Sequence, residues 1–198
     1  MAQTEAHGTA RGGVGVWIFR VLLVAAAAFM LYSWFAPWWI ADVAVIKGEN
    51  DMVLHPWGVE VVAQVRTSAD ESLYSMPWFF APLMWAYLVV CMLALAASLF
   101  MNRRISLGRI KLPVAAILIL LVGLSYMFAM GVTYYIGDLK AGLAGTNFIG
   151  KSTVTHAMTG NKFKMVSDLQ IGYWLALYAG GAVTVVGLIR LFIRTPKA

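Results

Sequence analysis

Four long apolar runs divide the chain, at about residues 16–36, 78–101, 112–135 and 171–193. Each is longer than the roughly 18 residues that a helix needs to cross the hydrocarbon core of a bilayer. The pattern therefore predicts an all-α integral membrane fold, a four-transmembrane-helix bundle formed as a single membrane domain over residues 1–198. Residues 37–77 and 136–170 remain as two long loops on one side. A short link, residues 102–111, makes the second and third helices antiparallel neighbours.

Within the first loop the period changes from helical to alternating. Ile40, Val43, Val45 and Ile46 precede Lys47-Gly-Glu-Asn-Asp51, and Met52-Val-Leu-His-Pro-Trp-Gly-Val-Glu-Val-Val follows. β-Branched residues on both sides of a Gly/Asn/Asp turn read as a hairpin. A small extracytoplasmic β-hairpin between the first two helices is expected, its second strand interrupted by a bulge or an edge at Pro56 and Gly58. The second loop carries Gly137, Gly142, Gly145, Gly150 and Gly160 and reads as irregular. A loop of that length ordinarily has structure of its own or a partner.

Charge then orients the bundle. The link carries Arg103, Arg104, Arg109 and Lys111 with no acid, and the tail carries Arg190, Arg194 and Lys197. Lysine and arginine collect on the cytoplasmic side, so both termini are expected inside and both long loops outside. Trp34, Trp38 and Trp39 close the first helix, and indoles favour the membrane–water interface. Arg20, near the inner end, can extend its guanidinium to the headgroups. In the first outer loop Lys47 and Arg66 face six acids; in the second, Lys140, Lys151, Lys162 and Lys164 outnumber Asp138 and Asp168. The opposite balances favour the two loops lying together. A net charge of +6 distributed in this way calls for no nucleic-acid partner.

Composition agrees. The chain is 61% hydrophobic and 12% charged, against about a quarter charged in soluble domains. The first run ends in a Trp-rich stretch and not in a small-residue cleavage site, so it is expected to stay as an anchor. Cys91 is the single cysteine and lies within the second run, which excludes an intramolecular disulfide.

Little in the sequence carries chemistry. Histidines stand only at 7, 55 and 156, outside the runs, so no two face each other from helices as a membrane haem would need. No Asp, Glu or Lys lies in the middle of a run, where proton relays and ion-coupled transporters place them. The one constellation to name is Glu49, Asp51, His55 and Glu60, with His156 from the second loop. Imidazole and carboxylates of this kind can hold a divalent metal; the plainer alternative is solvated positions on a hairpin. No cofactor is expected beyond that metal. Met127 and Met130 read as packing residues.

In the last run Gly172, Ala176, Gly180 and Thr184 recur every fourth residue and form one shallow stripe. In lipid, helices associate by close backbone approach across such residues. The stripe packs either within this bundle or against another subunit. The stretch Ser33-Trp-Phe-Ala-Pro-Trp-Trp39, an outer β-element, and a fourth helix opening Gly172-Tyr-Trp-Leu-Ala-Leu177 before a glycine pair resemble, in layout, claudin-like and prokaryotic four-span membrane proteins. The paired outer-loop cysteines of claudins are missing, so their paracellular role does not carry over. The resemblance implies a non-catalytic protein working through lateral or head-to-head contacts. The expectation is a structural or accessory subunit, with the bilayer and other membrane subunits or further copies of itself as partners. The alternative is a subunit of a membrane-bound metalloenzyme or respiratory complex, with Asp51, His55, Glu60 or His156 near a metal or quinone.

Overall fold

The computed structural model describes residues 8–43, 52–61, 76–101, 103–107, 110–155 and 160–192. Four helices are long and apolar enough to cross a membrane: α1 (Gly8–Phe35), α2 (Phe80–Phe100), α3 (Val114–Leu143) and α4 (Ile171–Phe192). The protein is mostly helical and reads as a membrane protein. It is not all-α.

Among the described residues seven strands lie between the helices: β1 (Trp39–Val43), β2 (Met52–His55), β3 (Gly58–Val61), β4 (Arg104–Leu107), β5 (Ile110–Pro113), β6 (Gly150–Thr155) and β7 (Lys162–Leu169). Five of them form one antiparallel sheet in the order β3-β2-β1-β7-β6. This corrects the expectation of a small hairpin. The first loop supplies three strands and the second, expected to be irregular, supplies two. Pro56 and Gly58 do not bulge a strand; Pro56 and Trp57 make the turn between β2 and β3. The basic link also has structure, the two-stranded hairpin β4–β5.

The alternation that builds the sheet is visible residue by residue. Trp39, Ala41 and Val43 of β1, Met52 and Leu54 of β2, and Met165 and Ser167 of β7 are buried, while Asp42, Lys164, Val166 and Asp168 between them are exposed. Since side chains alternate across a strand, one face turns inward onto Ala141 and Phe148 and forms a second core. The sheet is sewn to the helix ends. Trp38 N–H donates to the Leu54 carbonyl (2.8 Å), and Gln170 N–H donates to the Trp38 carbonyl (2.9 Å). Gly172 N–H, in the first turn of α4, donates to the Pro37 carbonyl (3.1 Å).

Helix α3 outruns its expected end at Tyr135 by two turns. At about 1.5 Å per residue its 30 residues span roughly 45 Å, against about 30 Å of hydrocarbon. It stops where Gly145 takes a left-handed φ of 69°, a conformation that glycine adopts without a Cβ penalty. Thr146 N–H then closes the end on the Ala141 carbonyl at 2.9 Å.

Helix α4 packs on α1 and α3 through the small-residue stripe. A Cβ at Gly172 would strike the Ala36 and Pro37 carbonyls, and one at Gly180 would lie 2.8 Å from Met127 Cγ. Ala176 is fully buried, and Thr184 Oγ1 donates to the Gly180 carbonyl at 2.9 Å while facing Gly123 of α3. Near the other end of α4, the buried Arg190 holds its guanidinium 5.0 Å from the centre of the Phe19 ring.

Candidate functional site

The C-terminal end of α1 and the first turns of α2 meet the sheet through a ladder of aromatic rings. Trp34 in α1 contacts Trp38 and Trp85 edge-on, at 6.3 and 6.2 Å between centroids. Trp85 in α2 stacks on Trp57 at 5.3 Å, and Trp57 stacks on His55 at 4.7 Å with the planes 5° apart. Large rings meeting in stacked and edge-to-face geometries add to the stabilisation from their buried area. Each step of the ladder crosses to a different element, so the rings fix how the β2–β3 turn sits on the helices.

Beside the ladder lies a cavity of about 410 Å³, between the sheet, the start of α2 and the extended end of α3. Small-molecule sites run from about 300 to 1,000 Å³, so the space is of ligand size. Trp38, Trp39 and Leu54 line it from the sheet side, Phe80 and Met84 from α2, and Ala129, Val132 and Ile136 from α3. Phe148 closes one wall. Its ring stacks on Trp39 at 5.4 Å and takes the edge of Tyr134 at 5.8 Å. It can lie against α3 because residue 137 is glycine; a Cβ there would run into the ring.

The lining is apolar apart from His55, Thr133, Lys140 and Asn147. Two of these are already engaged: Thr133 Oγ1 donates to the Ala129 carbonyl (2.9 Å), and Asn147 Nδ2 donates to the Lys151 carbonyl (3.0 Å). The half-buried Lys140 brings a positive charge, and no carboxylate lies among the lining residues. His55 Nδ1 is buried without a hydrogen-bond partner. Burial pushes the imidazole below its ordinary pKa, and the nearby Glu60 carboxylate pulls the other way. The neutral ring is therefore favoured near pH 7.

A scan of protein-family models gives no match to this chain, and a search of curated proteins gives none either.

Of the residues singled out as metal ligands, Asp51 and His156, like Glu49, lie outside the described residues. His55 and Glu60 are described. His55 pairs with Gly58 and Val53 with Glu60, so the two stand diagonally on one face of β2 and β3, with Glu60 exposed. Among the described residues no group of three or more His, Cys, Asp and Glu gathers as a metal site.

The cavity was not read from the sequence. Its lining on α3 crosses the point where the apolar run seemed to end, yet a signal was there. Ala129, Val132, Ile136 and Lys140 keep helical spacing of three and four straight through residue 135.

Proposed function

We propose that this chain is a non-catalytic integral membrane protein, a structural or accessory subunit of a membrane assembly, whose outer cap is its working part. In this reading both termini and the β4–β5 hairpin are cytoplasmic and the five-stranded sheet is extracytoplasmic. Arg103 and Arg104 beside that hairpin support the orientation, since basic residues stay inside.

The observation that carries the proposal is the pairing of β1 with β7. It merges strands from both long loops into one sheet, hydrogen-bonded to the ends of α1 and α4. A cap held this rigidly presents its two outermost strands, β3 and β6, in fixed positions. Strand edges carry unpaired backbone groups that a partner can extend. The small-residue stripe of α4 is occupied by α1 and α3, so a partner would meet the cap or a lipid-facing surface. The four-span layout resembling claudin-like proteins is in keeping with action through such contacts.

Extraction of the tagged protein from its source membrane into native nanoparticles, followed by mass measurement, tests this. Stoichiometric co-purification of other membrane proteins, or of further copies of the chain, is the expected result. Monomers alone would overturn it.

The second reading, a subunit of a membrane-bound metalloenzyme or respiratory complex, is favoured by the unpartnered His55 Nδ1 near Glu60. Metal analysis of the purified protein before and after His55→Ala separates the two. A stoichiometric metal lost in the variant would establish the second reading.

A further inference from the structure

We propose that the cavity beneath the sheet binds a membrane amphiphile with a single apolar chain and an anionic head, a long-chain carboxylate being the simplest such molecule, with Lys140 as the partner of the head. The inference does not depend on the accessory role.

Three observations converge on it. The first is chemical division within one space: Ile136, Val132 and Phe80 offer apolar wall, while Lys140, one helical turn beyond Ile136, supplies a cation. Burying an apolar chain is favourable in proportion to the area removed from water. A carboxylate beside an ammonium gains a charge-assisted hydrogen bond.

The second is charge complementarity. With Lys140 present and no acid among the lining residues, an anion is favoured over a cation or a zwitterion whose ammonium would meet Lys140. Thr133 Oγ1 and the Asn147 amide already donate within the protein and the His55 ring is neutral near pH 7, so Lys140 is the charged group of the lining that chooses the head.

The third is position. The lining runs along α3 from residue 129 to 141, across the end of its apolar run, with Trp38 and Trp39 in the opposite wall, and indoles favour the membrane–water interface. An amphiphile in the membrane already has its head at this depth. The volume, about 410 Å³, is of the order of a single acyl chain.

The test uses the full-length protein in a neutral detergent, titrated with a radiolabelled long-chain fatty acid and, separately, with its methyl ester. Saturable binding of the acid, one per chain, is expected, with the ester roughly tenfold weaker, the worth of a hydrogen bond to a charged group. Lys140→Gln should bring acid binding down to the level of the ester, and Lys140→Arg should restore it. Ala129→Phe, which fills the cavity, should abolish both. Should that variant fail to fold, the contrast between Lys140→Gln and Lys140→Arg decides alone. Equal binding of acid and ester by the wild-type protein, or no saturable binding, would overturn the proposal. So would displacement of the labelled acid by diacyl phosphatidylglycerol at a far lower concentration than unlabelled acid requires, which would assign the site to a phospholipid instead.

Discussion

Trp39 donates its indole N–H to the Phe148 carbonyl at 2.6 Å, and the two rings stack at 5.4 Å. Trp39 stands in the segment between α1 and α2 and Phe148 in the one between α3 and α4, so this pair joins the two segments that build the sheet. Removing the ring leaves a cavity and an unpaired carbonyl. Trp39→Ala should cost about 3–5 kcal/mol. Trp39→Phe keeps a stacked ring and loses the hydrogen bond, at about 1–3 kcal/mol. Urea titration in detergent micelles, followed by the fluorescence of the remaining tryptophans, would order the two variants. Equal losses would show that the hydrogen bond contributes nothing.

Close approach of α3 and α4 makes a second prediction. A Cβ at Gly123 would fall against both the hydroxyl and the backbone nitrogen of Thr184, whereas one at Gly131 meets nothing within 4 Å. Gly123→Ala should therefore destabilise the bundle by about 1–3 kcal/mol, the range for overpacking, and Gly131→Ala should be neutral or slightly stabilising. Trimming Thr184 to alanine should not rescue Gly123→Ala, because the backbone clash remains. Thermal denaturation of the four proteins in the same detergent checks each step.

The pH dependence of the cap follows from His55. Burial lowers its pKa in the fold, so the unfolded chain takes up a proton before the folded one does. Stability from this group is then fully present above the unfolded value of about 6.5 and declines as pH falls below it. Melting curves between pH 8 and pH 5 should show this loss in the wild-type protein. In His55→Phe, which preserves an aromatic ring over Trp57, the slope in that window should be smaller. In Glu60→Gln it should be steeper, since the carboxylate that opposes the shift is gone.

The proposed orientation is checked from both sides of the membrane. Lys151 on β6 and Ser106 on β4 are exposed and lie on strands of different sheets. In a Cys91→Ala background, Lys151→Cys should react with an impermeant maleimide added to intact cells, and Ser106→Cys only after the membrane is opened. The reverse pattern would invert the topology.

The four helices were legible because each apolar run is long and carries no charge in its middle, a signal that no tertiary contact has to complete. The sheet was not, although its alternation was printed in the sequence. Lys162 to Met165 alternates polar and apolar residues, but the exposed Val166 and the buried Ser167 break the pattern, and the five glycines of that loop point to irregular chain. The pairing of β1 with β7 also joins residues more than a hundred positions apart, which no local pattern encodes. The stripe from Gly172 to Thr184 was readable as a close-packing surface, while what it packs against, Gly123 and Pro37, emerged only from the fold. The cavity escaped for a related reason: its walls come from five separate stretches of chain.

The placement of β1 at the middle of the sheet also constrains biogenesis. Its two neighbours are made at different times, β2 shortly after it and β7 only once α2 and α3 have been made. Until then β1 offers one bare edge to whatever surrounds the emerging chain. A ribosome-bound intermediate arrested before residue 160 should therefore be the form most prone to wrong strand pairing.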